Sequence, residues 1–181
     1  MQKPGLASEL DSRIGQESES RVRLVKTFRF EAAHRLENHE GKCSRLHGHS
    51  YVLEVAMEAP YGEINCNPGT SNNGMLMDFN DISDIVKTEI INRLDHQFII
   101  SKETPQEFIA MLAPRHEGVS LPIEASTAEL IAGWIAWHIM STMGILGELD
   151  KTLLERVTLW ETVTGSATWY RSSMLTISPT Q

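Results

Sequence analysis

The 181 residues are 41% apolar and 22% charged, with a formal net charge of −8; this is the make-up of one ordinary globular domain with its own core. The acidic balance argues against a nucleic-acid partner, and no apolar run approaches the roughly 18–20 residues that cross a bilayer. The opening Met1-Gln2-Lys3-Pro4-Gly5 lacks the apolar stretch of a secretory leader, so the expected compartment is the cytoplasm, with no membrane partner. There both cysteines, Cys43 and Cys66, would remain thiols. A small anion is still admissible, because a local group such as Arg35, Lys42 and Arg45 acts inside a screening length of about 8 Å.

Residues 1–20 are polar and without periodicity and read as a flexible tail, leaving 21–181 as a single domain. From Val22 the chain alternates: Val22, Leu24, Phe28, Phe30 and Ala32 share one parity, and Arg23, Thr27, Arg29 and Glu31 the other. That predicts a half-buried strand. After the polar loop 37–42 a second alternating run begins at His47, with Tyr51, Leu53, Val55 and Met57 on one face, and it should pair antiparallel with the first. Residues 60–74 (PYGEINCNPGTSNNG) are a loop by turn chemistry.

Ile82, Ile85, Val86 and Ile90 then recur at helical spacing, with Glu89 placed to pair with Arg93. The stretch 101–124, broken by Pro105, Pro114 and Pro122, reads as irregular. A second helix opens at Ser126 and runs through Leu130, Ile131, Trp134, Ile135 and Trp137 towards Gly144. Two late strands, Leu154–Glu161 and Ala167–Ile177, turn near Gly165-Ser166. The resulting order ββααββ predicts an α+β fold with antiparallel pairing.

His47-Gly48-His49 is the sharpest chemical signal. Residues i and i+2 of a strand project from one face, roughly 6.5–7 Å apart, so both imidazoles can reach one ion. His34, ending the preceding strand in the parity of Phe28 and Phe30, can add a third nitrogen. Three neutral imidazoles suit Zn²⁺ and leave a fourth position for water or substrate. Taken alone, such histidines are as well explained as ordinary strand residues bonded to neighbours. His39, His116 and His138 have no evident partners and read as structural or surface residues.

At this point the chain resembles a known family. Phe30-Glu31-Ala32-Ala33-His34-Arg35-Leu36 and Cys43-Ser44-Arg45-Leu46-His47-Gly48-His49-Ser50-Tyr51 are similar to motifs of the 6-pyruvoyl tetrahydropterin synthase family. The likeness continues through Gly74-Met75-Leu76-Met77-Asp78-Phe79, Leu94-Asp95-His96, Ser126-Thr127-Ala128-Glu129 and Glu161-Thr162. The gap Cys-x-x-x-His-Gly-His resembles the 6-carboxy-tetrahydropterin synthase branch of queuosine biosynthesis.

The resemblance implies the tunnelling fold: a four-stranded antiparallel sheet with two helices on one face, several subunits joining their sheets into a barrel. A trimer-based homo-oligomer, such as a hexamer, would then place active sites between subunits. It implies a zinc-dependent lyase that converts 7,8-dihydroneopterin triphosphate to 6-carboxy-5,6,7,8-tetrahydropterin, acetaldehyde and triphosphate. The pyruvoyl reaction is the runner-up, and a pterin- or metal-binding protein without turnover is a rival from another class.

In that reading His34, His47 and His49 hold the metal and Cys43 is the base, although a free cysteine is more commonly a small buried hydrophobe. Asp95 and His96 form the proton relay, against the plainer alternative of a helix-end histidine meeting terminal carbonyls. Glu161 anchors the pterin by accepting from its amino group and ring N–H, supported by Thr162 and Thr127; otherwise it is a strand-end glutamate in solvent. Glu129 either contacts the pterin or completes a capping box with Ser126, and Asp78 is expected to cap the first helix.

Overall fold

The computed structural model describes residues 20–115, 117–144 and 154–171. The predicted tail (apart from Ser20), His116 and the predicted last-strand terminus at Ile177 fall outside these residues. Strand β1 (Arg21–His34) pairs antiparallel with β2 (His47–Pro60) along its whole length, from Arg21 opposite Pro60 to His34 opposite His47. The alternation seen in sequence drives this register: Phe28, Phe30 and Ala32 meet Leu53, Tyr51 and His49 on one face, and a slip of one residue would turn every one of them to the other side. On the far side of β2 lies β5 (Leu154–Thr162), which turns back as β6 (Gly165–Tyr170). These four strands form the antiparallel sheet expected.

The sheet nevertheless has six strands, in the order β4-β3-β1-β2-β5-β6, and it is mixed, which corrects both the four-stranded sheet and the ββααββ order. β3 (Gln97–Ile100) runs parallel to the end of β1, with Ala32 opposite Gln97, and β4 (Gly118–Ser120) runs parallel to β3. The reason it escaped the sequence reading is physical. Phe98, Ile99 and Ile100 are all buried, and a strand covered on both faces shows no alternation. The stretch 101–124 is likewise not irregular throughout. It carries a short helix, Gln106–Leu112, with Pro105 at its N-cap and Pro114 in the turn that ends it, both positions where proline is tolerated.

Two helical segments cover one face of the sheet. Helix α1 (Phe79–Val86) is capped by Asp78, whose carboxylate accepts from the Asn80 N–H at 2.7 Å. It continues through one wide π-helical turn, Lys87–Ile91, into the short α2 (Asn92–Leu94); in chain order Gln106–Leu112 is then α3. Helix α4 (Ala128–Thr142) follows. Ile82, Val86, Ile90 and Leu94 from the first segment and Ile131, Ile135 and Ile139 from α4 pack on Leu53, Val55, Met57, Val157 and Leu159 of the sheet.

Two local expectations are corrected. The α4 cap is Thr127, accepting from Leu130 N–H, rather than Ser126 with Glu129; Ser126 is buried and its hydroxyl donates to the Arg35 carbonyl at 2.9 Å. A buried backbone carbonyl needs a donor, and satisfying it outweighs a cap that the next residue can supply. Glu89 does not pair with Arg93 either: both reach His138 across the helix interface, at 3.2 and 2.9 Å, and His138 stacks on Trp134. His138 therefore has partners after all.

The contrast between the two faces of α4 is testable. Ile135→Ala removes a fully buried side chain and should lower stability by about 2–5 kcal/mol. Trp137→Ala, at a position 52% exposed, should change it by no more than about 0.5 kcal/mol. Urea unfolding followed by circular dichroism measures both.

Candidate metal centre and adjoining cavity

The register of β1 and β2 creates the centre. His34 lies directly opposite His47, and His49 lies opposite Ala32, whose small side chain leaves room for the ring. All three imidazoles project to the core face, where their centroids are 4.6–5.2 Å apart. One ligand atom from each lies within 4.8 Å of the others.

Second contacts select which nitrogen faces inward. His34 Nδ1 lies 2.6 Å from the Ser126 carbonyl, and His47 Nδ1 lies 2.7 Å from the Arg45 carbonyl. A carbonyl can only accept, so each Nδ1 carries the hydrogen and each Nε2 presents a lone pair. The three Nε2 atoms are buried and have no hydrogen-bond partner. Orphaned buried acceptors are costly, and three converging on one point fit a cation: these histidines can hold a metal ion. Burial also pushes the His34 and His49 imidazoles below their ordinary pKa, which favours the neutral form that a ligand needs.

Beside the triad stands Glu161, at the end of β5. Leu53 pairs with Leu159, so the next positions on the same face bring Tyr51 and Glu161 together. The Tyr51 hydroxyl donates to Glu161 Oε1 at 3.4 Å. Burial, and then the neighbouring carboxylate, push the Tyr51 phenol far above its ordinary pKa, so it remains a donor. Tyr51 stacks on Phe30 at 5.0 Å, which fixes its ring. Tyr51 and Ser126 are the functional side of this site that sequence reasoning passed over. Tyr51 was in view as a same-face position two residues past His49, whereas nothing local marks Ser126.

A cavity of about 350 Å³ opens next to the triad, lined by His34, His39, Cys43, Thr127, Glu129 and Glu161 among others. The structure thus brings Cys43, Thr127, Glu129 and Glu161 into one cavity with His34 of the triad, and adds His39, which reads in the sequence as a structural or surface residue. Cys43 sits in a tight turn, Lys42–Ser44, and its carbonyl accepts from the Leu36 N–H at 2.9 Å. Thr162 is exposed, and its hydroxyl accepts from the Thr164 N–H in the β5–β6 turn. Arg35 is not a free anion site: it pairs with Glu37 at 2.8 Å and lies over the Phe108 ring.

Asp95 and His96 do not reach this cavity. They follow α2, and His96 borders a second groove, of about 550 Å³, lined by Glu31, Ala33, Gly48, Ser50 and Glu117 among others. Glu31 and Ala33, like Gly48 and Ser50, have the strand parity opposite to the three histidines and turn to the other face of the sheet, while Ala32 and His49 also border this groove. Asp95 is held there by the Glu31 N–H, which donates to its carboxylate at 2.9 Å, and by His96 Nδ1 at 3.0 Å. The Glu31 amide, then the His96 ring, hold the Asp95 carboxyl below its usual range. His96 takes a left-handed backbone (φ 58°), and its N–H donates to the Glu31 carbonyl. A non-glycine residue in that region is uncommon, and here both backbone bonds to Glu31 hold it.

The 6-pyruvoyl tetrahydropterin synthase family model matches residues 23–172, the span that carries the sheet, both helical segments and the three histidines. The chain belongs to that family. Relatives named 6-carboxy-5,6,7,8-tetrahydropterin synthase include those of Haemophilus influenzae, 31% identical over 78% of this chain and 94% of the relative, and Aquifex aeolicus, 32% identical over 80% and 94%. Among solved structures, the 6-pyruvoyl tetrahydropterin synthase of Caenorhabditis elegans superposes with a TM-score of 0.58 at 22% identity, covering 84% of this chain and 97% of that one. That of Plasmodium vivax gives 0.61 at 20%, covering 85% and 99%. The fold is therefore that of the family, and the chain is a lyase-type tetrahydropterin synthase rather than a binding protein without turnover. Among the described residues no helix is long and apolar enough to cross a membrane.

Metal binding by the triad predicts a stability effect. Zn²⁺ at a hundred times its Kd should stabilise the folded chain by about 2.7 kcal/mol, seen as a raised thermal midpoint. His47→Ala should abolish that rise and bring metal content in emission spectroscopy below one per chain.

Proposed function

We propose that this protein is a zinc-dependent 6-carboxy-tetrahydropterin synthase acting in the cytoplasm, in the queuosine pathway. The observation that carries the reading is the grouping of three orphaned Nε2 atoms beside a cavity that His34 shares with Cys43 and Glu161. The names of the relatives from Haemophilus influenzae and Aquifex aeolicus and the four-residue step from Cys43 to His47 support the carboxy branch over the pyruvoyl one. The substrates are 7,8-dihydroneopterin triphosphate and water, and the products are 6-carboxy-5,6,7,8-tetrahydropterin, acetaldehyde and triphosphate.

Zn²⁺ on His34, His47 and His49 would supply Lewis-acid stabilisation of charge developing on the side-chain oxygens. The other roles belong to the chain itself. Glu161 accepts from the amino group and ring N–H of the pterin, a donor pair that one carboxylate matches, and Thr127 and Glu129 border the same cavity. Cys43, as thiolate, removes a proton from the side-chain carbon. Asp95 orients His96 so that the imidazole can relay protons.

Cys43 and His96 line different cavities of one protomer, so in this reading the relay comes from a neighbouring chain. This supports a homo-oligomer whose active sites lie between subunits, with trimer-based assembly as the working form.

Incubation with dihydroneopterin triphosphate should release acetaldehyde, detected with the carboxypterin by mass; retention of the three-carbon side chain in the product would assign the pyruvoyl reaction instead. Chelator and Cys43→Ala should each abolish turnover. Cys43→Ala and His96→Ala proteins, each inactive, should recover about a quarter of the wild-type rate when unfolded and refolded together at equal amounts, because a cyclic assembly then regenerates intact sites at that frequency. Absence of any recovery would place both residues in one chain.

A further inference from the structure

The position of Glu161 relative to the histidines is unexplained by a pterin anchor alone. Its Oε1 lies 3.3 Å from His34 Nε2 and 3.8 Å from His49 Nε2. The Nδ1 of His34 is committed as a donor to the Ser126 carbonyl, so in the neutral ring Nε2 is a bare acceptor. A carboxylate oxygen is also an acceptor. Two acceptors facing each other at this distance in a largely buried site repel unless a proton or a metal cation lies between them. A tetrahedral zinc with bonds of 2.0–2.1 Å has donor-to-donor edges of about 3.3–3.4 Å. Oε1 therefore stands close to the place of a fourth vertex relative to two of the three nitrogens.

We propose that Glu161 closes the histidine cluster as a fourth donor in the resting protein, and that an arriving pterin opens the cluster by drawing this carboxylate to itself. The inference rests on the metal-centre and pterin-anchor readings given above, and it ties them into one switch. A pterin's paired donors require both carboxylate oxygens. Oε1 already receives the Tyr51 hydroxyl at 3.4 Å, and it cannot bind the cluster and the pterin at once. Glu161 can move between the two, because its side chain is 28% exposed and borders the cavity, whereas the His34 ring is 2% exposed and fixed by Ser126. The coordination position thus becomes vacant only when a pterin ring is seated, so that its side-chain oxygens arrive at an open site.

The test uses the full-length protein loaded with Co²⁺, whose visible absorption reports ligand number and type. Wild type and Glu161→Gln are compared without pterin, and wild type is then titrated with 6-methyl-7,8-dihydropterin, which keeps the ring donors but has no side-chain oxygens. The Glu161→Gln spectrum should differ from wild type, the pterin should move the wild-type spectrum towards that of the variant, and zinc affinity in the variant should fall about tenfold or more by chelator competition. Superimposable spectra and equal zinc affinity, with circular dichroism confirming that the variant is folded, would overturn the switch while leaving the metal centre intact. Failure of wild type to take up one Co²⁺ per chain would overturn the metal centre, and the switch with it.

Discussion

Everything in the site depends on the pairing of β1 with β2 in one register. Cross-strand partners sum to a constant along the ladder, so fixing Phe28 against Leu53 in the core also fixes His34 against His47 at the end where the loop joins the strands. The apolar residues in the middle of the ladder thus set the geometry of the polar ones. Burial of Phe30, Tyr51 and Leu53 contributes roughly 1.5–3 kcal/mol for each large side chain, far more than the histidines themselves could invest in choosing a register. Metal-site precision is in this sense inherited from the core.

Second contacts do the remaining work. The carbonyls of Ser126 and Arg45 each take an Nδ1 hydrogen and so decide both the tautomer and the direction of the free lone pair. Ser126 belongs to the segment leading into α4 and also binds the Arg35 carbonyl, so the helix and the end of β1 are locked as one unit. The opposite face has its own lock: Asp95 and the His96 N–H clasp the Glu31 backbone. A single short stretch at the end of β1 and just past it, from Glu31 to Arg35, therefore positions chemical groups on both faces of the sheet.

The sequence was most legible where a period coincided with a chemical requirement. β1, β2 and the His34, His47, His49 set followed from alternation plus metal-ligand chemistry, and Asp78 followed from capping logic. Legibility failed where burial erased the period, as at Phe98-Ile99-Ile100, or where a residue's partner is distant in sequence, as for Ser126 with Arg35 and for His138 with Glu89. Resemblance to the family supplied the roles of Cys43, Glu161, Asp95 and His96, which no local pattern assigns. The structure then grouped Cys43 and Glu161 with the histidines and set Asp95 and His96 on the far face, a division that no one-dimensional reading contains.

The wide turn at Lys87–Ile91 has a consequence for how the chain can vary. Ile82, Val86, Ile90 and Leu94 are all buried and recur every fourth residue, whereas an α-helix needs 3.6 for a full revolution, so each step would drift by about 40°. Three such steps would swing Leu94 out from under the sheet. The extra residue accommodated in the π turn unwinds that drift and keeps the stripe in phase. It also sets the angle at which the chain leaves the helix towards Asp95. Loss of one residue there would leave a sound ordinary helix and a sound core upstream, yet rotate the carboxylate away from the Glu31 amide. Insertions and deletions in this turn should thus be purged for a reason that inspection of the helix by itself would never reveal: it is the phase reference for a hydrogen bond one element further on.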